Sequence, residues 1–220
     1  MSDGWNFANL FEALAERQPG AMALRHAGVT TTWAEMDRRA DGIAATLLAA
    51  GVAEQDKVAQ YLYNGPHYLE SIFASFKAGL AVVNTNYRYT PDELTYLWDN
   101  ADVVAVVFHG AFSERIDELR PRLPRIHTWL WVDDGNGPCP DWAEPYEQAA
   151  TAEVDGHVSG EAPRSGDDLF LLYTGGTTGQ PKGVMWRQDD LFAVLNRTAS
   201  RRGSSAGGSS KSIVVTVPQT

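Results

Sequence analysis

Residues 169–187 read Leu-Phe-Leu-Leu-Tyr-Thr-Gly-Gly-Thr-Thr-Gly-Gln-Pro-Lys-Gly-Val-Met-Trp-Arg. The four apolar residues at 169–172 lead into Tyr173 and predict a buried strand. A loop of small and hydroxyl residues is expected next, formed by Thr174, Gly175, Gly176, Thr177, Thr178 and Gly179. Residues 180–183 have proline and glycine in the places that a turn favours, and residues 184–186 resume an apolar run.

The loop has the composition of an anion-binding segment. Glycine lets the backbone approach a ligand closely, and successive backbone N–H groups can converge on phosphate oxygens. Three threonines add hydroxyl donors, and Lys182 adds a positive charge. A preceding strand would place the loop at the carboxyl edge of a sheet, where open α/β sheets bind ligands. The alternative is a flexible glycine-rich connector, but the strand, the lysine and the hydroxyl groups favour a phosphate-binding loop.

Two common nucleotide-binding motifs do not fit this loop. When G-x-x-x-x-G-K-[ST] is aligned from Gly176, Pro181 takes the place of the second glycine. Gly183 takes the place of the Ser/Thr whose hydroxyl would bind Mg²⁺. The pattern G-x-G-x-x-G does not occur in the chain. The sequence therefore predicts a phosphate-binding loop of another kind.

Residues 173–183, YTGGTTGQPKG, resemble the signature loop of the AMP-forming acyl-CoA synthetases, whose usual form is Y-T-S-G-T-T-G-x-P-K-G. Ten of the eleven positions follow that pattern, and the departure is Gly175 in place of serine, which removes one hydroxyl donor. A glycine variant is familiar among the fatty-acyl-CoA-synthetase-like members. Residues 61–70 and 83–97 resemble the amino-terminal subdomain of the same family, so the resemblance covers most of residues 1–200.

The resemblance implies that a carboxylic acid, expected to be a fatty acid, is activated by ATP through an acyl-adenylate and transferred to coenzyme A. Mg²⁺ would arrive with ATP. Residues 174–179 would wrap the β- and γ-phosphates, and Lys182 would offset charge on the departing pyrophosphate. Lys182 is the one candidate catalytic residue, because the other catalytic motifs of the family follow this loop and none can be assigned in this chain.

Because the other catalytic motifs cannot be assigned, we expect the chain to be a truncated fragment that does not complete adenylation by itself. Two alternatives stay open. The chain could be a non-catalytic ATP- or phosphate-binding module, including one half of a split enzyme, or a structural fragment that binds nothing. A half-built domain would also leave apolar faces uncovered, which predicts self-association.

The rest of the chain predicts an α/β fold. Strands and helices alternate as β, α, β, α, β, α, β up to about residue 132, which is typical of a mostly parallel sheet flanked by helices. Residues 133–166 show little periodicity and are expected to form a long surface connection. We therefore predict an amino-terminal α/β subdomain over 1–165, the start of a second α/β subdomain over 166–202, and a Gly/Ser-rich tail over 203–220.

Composition excludes several classes of protein. The 220-residue chain has a net charge of −10, which argues against a nucleic-acid partner. Its single cysteine, Cys139, cannot form an internal disulfide and suits the reducing cytoplasm. No apolar run is long enough for a transmembrane segment, and no secretory signal is visible. The five histidines are scattered without metal-binding spacing, so no metal site is predicted.

Overall fold

The computed structural model describes residues 5–176 and 179–203. Its helices are α1 (Phe7–Arg17), α2 (Trp33–Ala49), α3 (Pro66–Lys77), α4 (Pro91–Asn100), α5 (Ser113–Leu119), α6 (Tyr146–Ala150) and α7 (Gln188–Gly203). Its strands are β1 (Met22–His26), β2 (Val29–Thr32), β3 (Lys57–Tyr61), β4 (Ala81–Asn84), β5 (Val103–His109), β6 (Thr128–Val132), β7 (Glu144–Pro145), β8 (Leu169–Gly176) and β9 (Gly179–Arg187).

A seven-stranded sheet with the order β7-β6-β5-β3-β4-β8-β9 forms the centre of the fold. Every neighbouring pair from β7 to β8 is parallel, and β9 pairs with β8 antiparallel. Strands β1 and β2 form a separate antiparallel hairpin. The predicted mostly parallel α/β fold is therefore confirmed.

Helices cover both faces of this sheet. One face packs against α4 and α5, and the other packs against α2, α3 and α6. Strand β5 is buried at every position because it lies inside the sheet with helices on both sides. In β6, Trp129 and Trp131 point into one core while Leu130 and Val132 point into the other.

The helices begin where the sequence provides caps. The Asn6 side chain accepts a hydrogen bond from the backbone N–H of Ala8 at the start of α1. Thr90 and Glu93 form a reciprocal capping box at the start of α4, and Pro91 occupies the first turn. These residues satisfy backbone donors that have no partner inside the helix, which fixes where each helix starts.

The expected surface connection over 133–166 was wrong in part, because it contains β7 and α6. Tyr146 is fully buried, and its hydroxyl donates a hydrogen bond to Glu70 Oε2 at 3.0 Å. Arg39 joins the same contact by binding both Glu70 and Glu147. Helix α6 has only five residues, too few to produce a helical period, so its position depends on these long-range contacts.

A buried lysine ties α1, α2 and α3 together. Lys77 Nζ is 3.0 Å from Glu12, 2.8 Å from Asp37 and 2.8 Å from Asp41, and its side chain is only 1% exposed. Burial lowers the pKa of Lys77, but the hydrogen bonds with Asp37 and Asp41 outweigh it and raise the pKa above its ordinary value. Lys77 is therefore charged at neutral pH and compensates three carboxylates that have little access to water.

The predicted boundary near residue 165 stays a prediction. In the structure β8 pairs with β4, so the segment after residue 166 joins the same sheet as the segment before it. Residues 204–220 of the predicted tail lie outside the described residues. Within the ranges that the structure describes, no helix combines the length and apolarity needed to cross a bilayer.

We predict that Lys77→Met strongly destabilises the protein. The substitution leaves partly buried carboxylates without their cation, which costs about 3–5 kcal/mol when one partner of a buried ion pair is removed. Urea unfolding measures the change. Arg125→Ala is the control, because Arg125 pairs with Asp102 on the surface, where a pair contributes about 1 kcal/mol or less. Equal losses in the two variants would contradict a central role for Lys77.

Candidate phosphate-binding site

The candidate site is the hairpin formed by β8 and β9 at one end of the sheet. Leu169 pairs with Arg187, and the pairing continues residue by residue to Thr174 and Lys182. The register then shifts, and Gly176 pairs with Gly179. Gly176 and Gly179 are therefore the last paired residues on either side of positions 177 and 178.

The predicted loop and turn need correction. Residues 174–176 continue β8, and residues 180–183, which were expected to form a turn, belong to β9. Pairing with β8 overrides the turn preference of this segment. Pro181 is tolerated because β9 is an edge strand and Pro181 lies opposite the register shift, between the paired residues Gly179 and Lys182.

The structure brings several of the predicted residues together. Thr174 and Lys182 are direct partners across the hairpin, and both side chains are exposed. Gly175 lies at the register shift, a place where glycine is favoured in a strand. Gly176 and Gly179 form the last pair. Thr177 and Thr178 lie outside the described residues.

The hairpin tip stands at the carboxyl edge of the parallel sheet. Strands β4 and β8 run in the same direction, with Val82 opposite Phe170 and Val83 opposite Leu171. The residues after Leu171 therefore extend beyond the end of this pairing. Open α/β sheets bind ligands at this edge, so the position agrees with the predicted anion site.

The charge at the tip is not neutralised locally. No carboxylate in the described part of the chain lies within ion-pairing distance of Lys182. The other end of the hairpin differs, because Arg187 Nε donates to Asp167 Oδ1 at 2.7 Å and Arg187 also contacts Asp190. Since residues 169–187 contain no acidic residue, the hairpin presents no negative charge of its own to a ligand.

Tyr173 forms the packed base of the tip. Its side chain is buried, and its hydroxyl donates a hydrogen bond to Asn100 Oδ1 at 2.8 Å at the end of α4. Burial raises the pKa of Tyr173, so the hydroxyl stays protonated and acts as a donor. The ring lies over Gly183, where an added Cβ would come within 2.7 Å of Tyr173 Cζ. Only glycine at position 183 allows this packing without displacement.

Sequence reasoning missed the polar contacts at this base. Asn84 and Asn100 both bind Tyr173, yet they lie 89 and 73 residues away from it in the chain. Asn84 is the last residue of β4. Its place as a polar residue directly after an apolar run is the only signal of this contact in the sequence.

A group of possible metal ligands occurs elsewhere, between α1 and α2. Within the described ranges, Glu12, Asp37 and His157 bring one ligand atom each within 4.8 Å of the others. The Lys77 ammonium group already lies 3.0 Å from Glu12 and 2.8 Å from Asp37. This cluster is therefore a lysine-centred ion-pair network that stabilises the helices.

The fold and the hairpin together define the class of protein. The chain belongs to the AMP-binding enzyme family, whose model matches residues 11–219. Acetoacetyl-CoA synthetase from Streptomyces lividans shares the fold, with a TM-score of 0.79 and 22% sequence identity over 90% of this chain and 32% of that one.

The relatives that the chain resembles in sequence are acyl-CoA ligases. One is a medium/long-chain-fatty-acid–CoA/3-oxocholest-4-en-26-oate–CoA ligase of Mycolicibacterium smegmatis, 38% identical over 86% of this chain and 34% of the relative. Another is the medium-chain acyl-CoA ligase Mig of Mycobacterium avium, 40% identical over 66% of this chain and 26% of the relative. The chain spans about a third or less of the length of these relatives.

We predict that Gly183→Ala destabilises the protein by about 1–3 kcal/mol, the usual cost of adding a methyl group to a packed site. The new Cβ would collide with the Tyr173 ring and force the hairpin or the ring to move. Urea unfolding measures the loss. Gly20→Ala is the matched control, since no atom lies within 4 Å of the added Cβ there. A Gly183→Ala protein as stable as the control would refute the close packing.

Proposed function

We propose that the β8–β9 hairpin binds the triphosphate of ATP in an AMP-forming acyl-CoA ligase. The observation that carries the proposal is the pairing of Thr174 with Lys182 at an open sheet edge, with no carboxylate of the described residues within ion-pairing distance of Lys182. The contacts would come from Thr174, Gly175, Gly176, Thr177, Thr178, Gly179 and Lys182. Hydroxyl groups, backbone N–H groups and one ammonium group are the donors that a phosphate chain requires.

The proposed reaction has two steps. A carboxylate oxygen of the acid attacks the α-phosphorus of ATP, and the bond to pyrophosphate breaks, which leaves an acyl-adenylate. The thiol of coenzyme A then attacks the acyl carbon, loses its proton, and AMP departs. Lys182 acts in the first step by offsetting the negative charge that develops on the departing pyrophosphate. The hairpin contributes binding and charge stabilisation, which dominate catalysis of phosphoryl-type transfer.

ATP and coenzyme A are the proposed co-substrates. The hairpin does not fit a direct Mg²⁺ site, because residues 169–187 contain none of the carboxylates by which proteins usually hold this ion. We therefore assign Mg²⁺ to the incoming nucleotide and derive no step through it. Lys182 and the hydroxyl of Thr174 suit the anionic oxygens of the nucleotide rather than its metal.

The proposed acid is a medium- or long-chain fatty acid. The support comes from the relatives, which are named as ligases of medium- and long-chain fatty acids and of 3-oxocholest-4-en-26-oate. We place the reaction in the cytoplasm, where ATP is available. The unpaired thiol of Cys139 agrees with a reducing compartment.

We predict that Lys182→Ala weakens ATP binding by about tenfold or more, because a hydrogen bond to a charged group contributes about 1.5–3 kcal/mol. Isothermal titration calorimetry of the 220-residue chain measures the affinity. Lys57→Ala is the matched control, since Lys57 begins β3 at the opposite edge of the sheet. It removes the same charge and should leave the affinity nearly unchanged.

Binding of adenosine without phosphates should be insensitive to both lysine variants. If Lys182→Ala and Lys57→Ala bind ATP as tightly as the wild-type chain, the hairpin does not hold the triphosphate. If the wild-type chain binds no ATP, the alternative of a structural fragment is correct.

We also propose self-association of this chain through the β9 edge. Strand β9 ends the sheet, and its Met185 and Val184 are 70% and 45% exposed. Edge strands with apolar side chains readily pair with a second copy. Met185→Lys places a charge on this edge and should shift the protein towards monomer in light scattering. Val29→Lys, at an exposed site on the separate β1–β2 hairpin, is the control. A wild-type monomer would contradict this proposal.

A further inference from the structure

Strand β8 is held at two points by side-chain amides from other parts of the fold. At its start, Gln55 Oε1 accepts a hydrogen bond from the Leu169 N–H at 2.9 Å, and Gln55 Nε2 donates to the Gly79 carbonyl at 3.0 Å. Four residues further along the strand, Asn84 Oδ1 accepts from the Tyr173 N–H at 2.7 Å, and Asn84 Nδ2 donates to the Tyr173 carbonyl at 3.3 Å. In both contacts, a side-chain amide accepts a hydrogen bond from a backbone N–H of β8 and donates one to a backbone carbonyl. Gln55 does so at the amino edge of the sheet, and Asn84 does so at the carboxyl edge.

The Asn84 contact continues the β4–β8 pairing after the backbone pairing has ended. The last paired residues are Val83 and Leu171, and β4 ends at Asn84. The carboxamide of Asn84 offers one donor and one acceptor, as a peptide group does, and it occupies both backbone groups of Tyr173. The strand is therefore held at the residue directly before Thr174, where the candidate phosphate-binding segment begins.

A second contact fixes the Tyr173 side chain. Asn100 accepts a hydrogen bond from its hydroxyl at 2.8 Å, and Gly183 on β9 lies directly beneath its ring. Tyr173 is thus held through its backbone by β4, through its hydroxyl by α4 and through its ring by β9. Since Gly183 is the neighbour of Lys182, this packing connects the position of Lys182 to the position of Thr174.

We propose that Asn84 is a positioning residue for the phosphate-binding hairpin, with Asn100 in a supporting role. Asn84 sets the direction in which β8 leaves the sheet, so that the backbone N–H groups after Tyr173 and the Lys182 ammonium group converge on one polyanion. Asn84 acts through Tyr173 and does not touch the ligand. This inference rests on the proposed function and names the residue that gives the hairpin its binding geometry.

The matched pair Asn84→Leu and Gln55→Met tests the inference. Each substitution removes both hydrogen bonds of one side-chain amide and keeps nearly the same side-chain size. Asn84→Leu does so near the hairpin tip, and Gln55→Met does so at the start of β8. Affinity for inorganic tripolyphosphate and for ATP is measured by calorimetry at a temperature where all variants are folded. Asn84→Leu is expected to weaken both affinities about tenfold, because a displaced hairpin would lose one or two well-placed hydrogen bonds to the ligand. Gln55→Met is expected to lower the melting temperature while leaving both affinities within about twofold of the wild type, because its contacts lie away from the tip.

Two further variants separate positioning from general stability. Asn84→Gln keeps the amide on a longer stem and is expected to recover part of the affinity. Tyr173→Phe removes only the hydrogen bond to Asn100 and is expected to cause a smaller loss than Asn84→Leu. If Asn84→Leu and Gln55→Met change affinity equally, or if Asn84→Leu lowers only the melting temperature, the positioning role is overturned.

Amide hydrogen exchange without ligand distinguishes this inference from the proposed function. Asn84→Leu should accelerate exchange at Tyr173 and Thr174 and spare Leu171, and Gln55→Met should not affect Tyr173 or Thr174. If the wild-type chain binds no polyphosphate, the proposed function fails and the exchange rates alone decide the role of Asn84. The role of Asn84 in holding the hairpin in place then stands if only Asn84→Leu loosens the tip, and it falls if both variants do.

Discussion

The parallel pairing between β4 and β8 is the contact on which the candidate site depends. Backbone pairing joins Val82 and Val83 of β4 to Phe170 and Leu171 of β8, and it is the ladder that connects the β8–β9 hairpin to the other strands. The segment between β6 and β8 is long, so local structure alone does not place the hairpin beside β4. Because strands β4 and β8 run in the same direction, the hairpin tip must emerge at the carboxyl edge of the sheet.

The core supports this pairing from both faces. Phe170 packs with Phe76 and Val82 on one face, and Leu171 and Tyr173 pack with the residues of α4 on the other. The ammonium group of Lys77, at the end of α3, compensates three carboxylates from α1 and α2 and keeps these helices together. The hairpin thus has a rigid apolar base, while Thr174 and Lys182 at its tip stay exposed. This contrast suits a site that must be held firmly and still admit a charged ligand.

Much of the fold followed from local sequence signals. The β-branched run of β5 and the cap, proline and acidic residue at the start of α4 are signals of this kind, because they act over a few residues. The signature loop likewise predicts the candidate site within residues 173–183, and that assignment stays a prediction. Local sequence signals gave wrong predictions where contacts between distant parts of the chain determine the structure. Pairing with β8 placed the Pro181 segment in a strand instead of a turn, and the buried hydroxyl of Tyr146 fixed a helix too short to have a period. The contact of Asn84 with Tyr173 joins residues 89 positions apart, so no sequence window contains both.

The most direct test of the account is amide chemical-shift mapping by NMR while inorganic tripolyphosphate is added to the isotope-labelled chain. Backbone N–H groups that bind phosphate oxygens shift strongly, whereas distant ones do not. We predict that the largest changes fall on residues 174–182, next to the base at Tyr173, and saturate together. Changes that are absent from this segment, or that cluster instead on α1 and α2, would contradict the assignment of the hairpin as the phosphate-binding site.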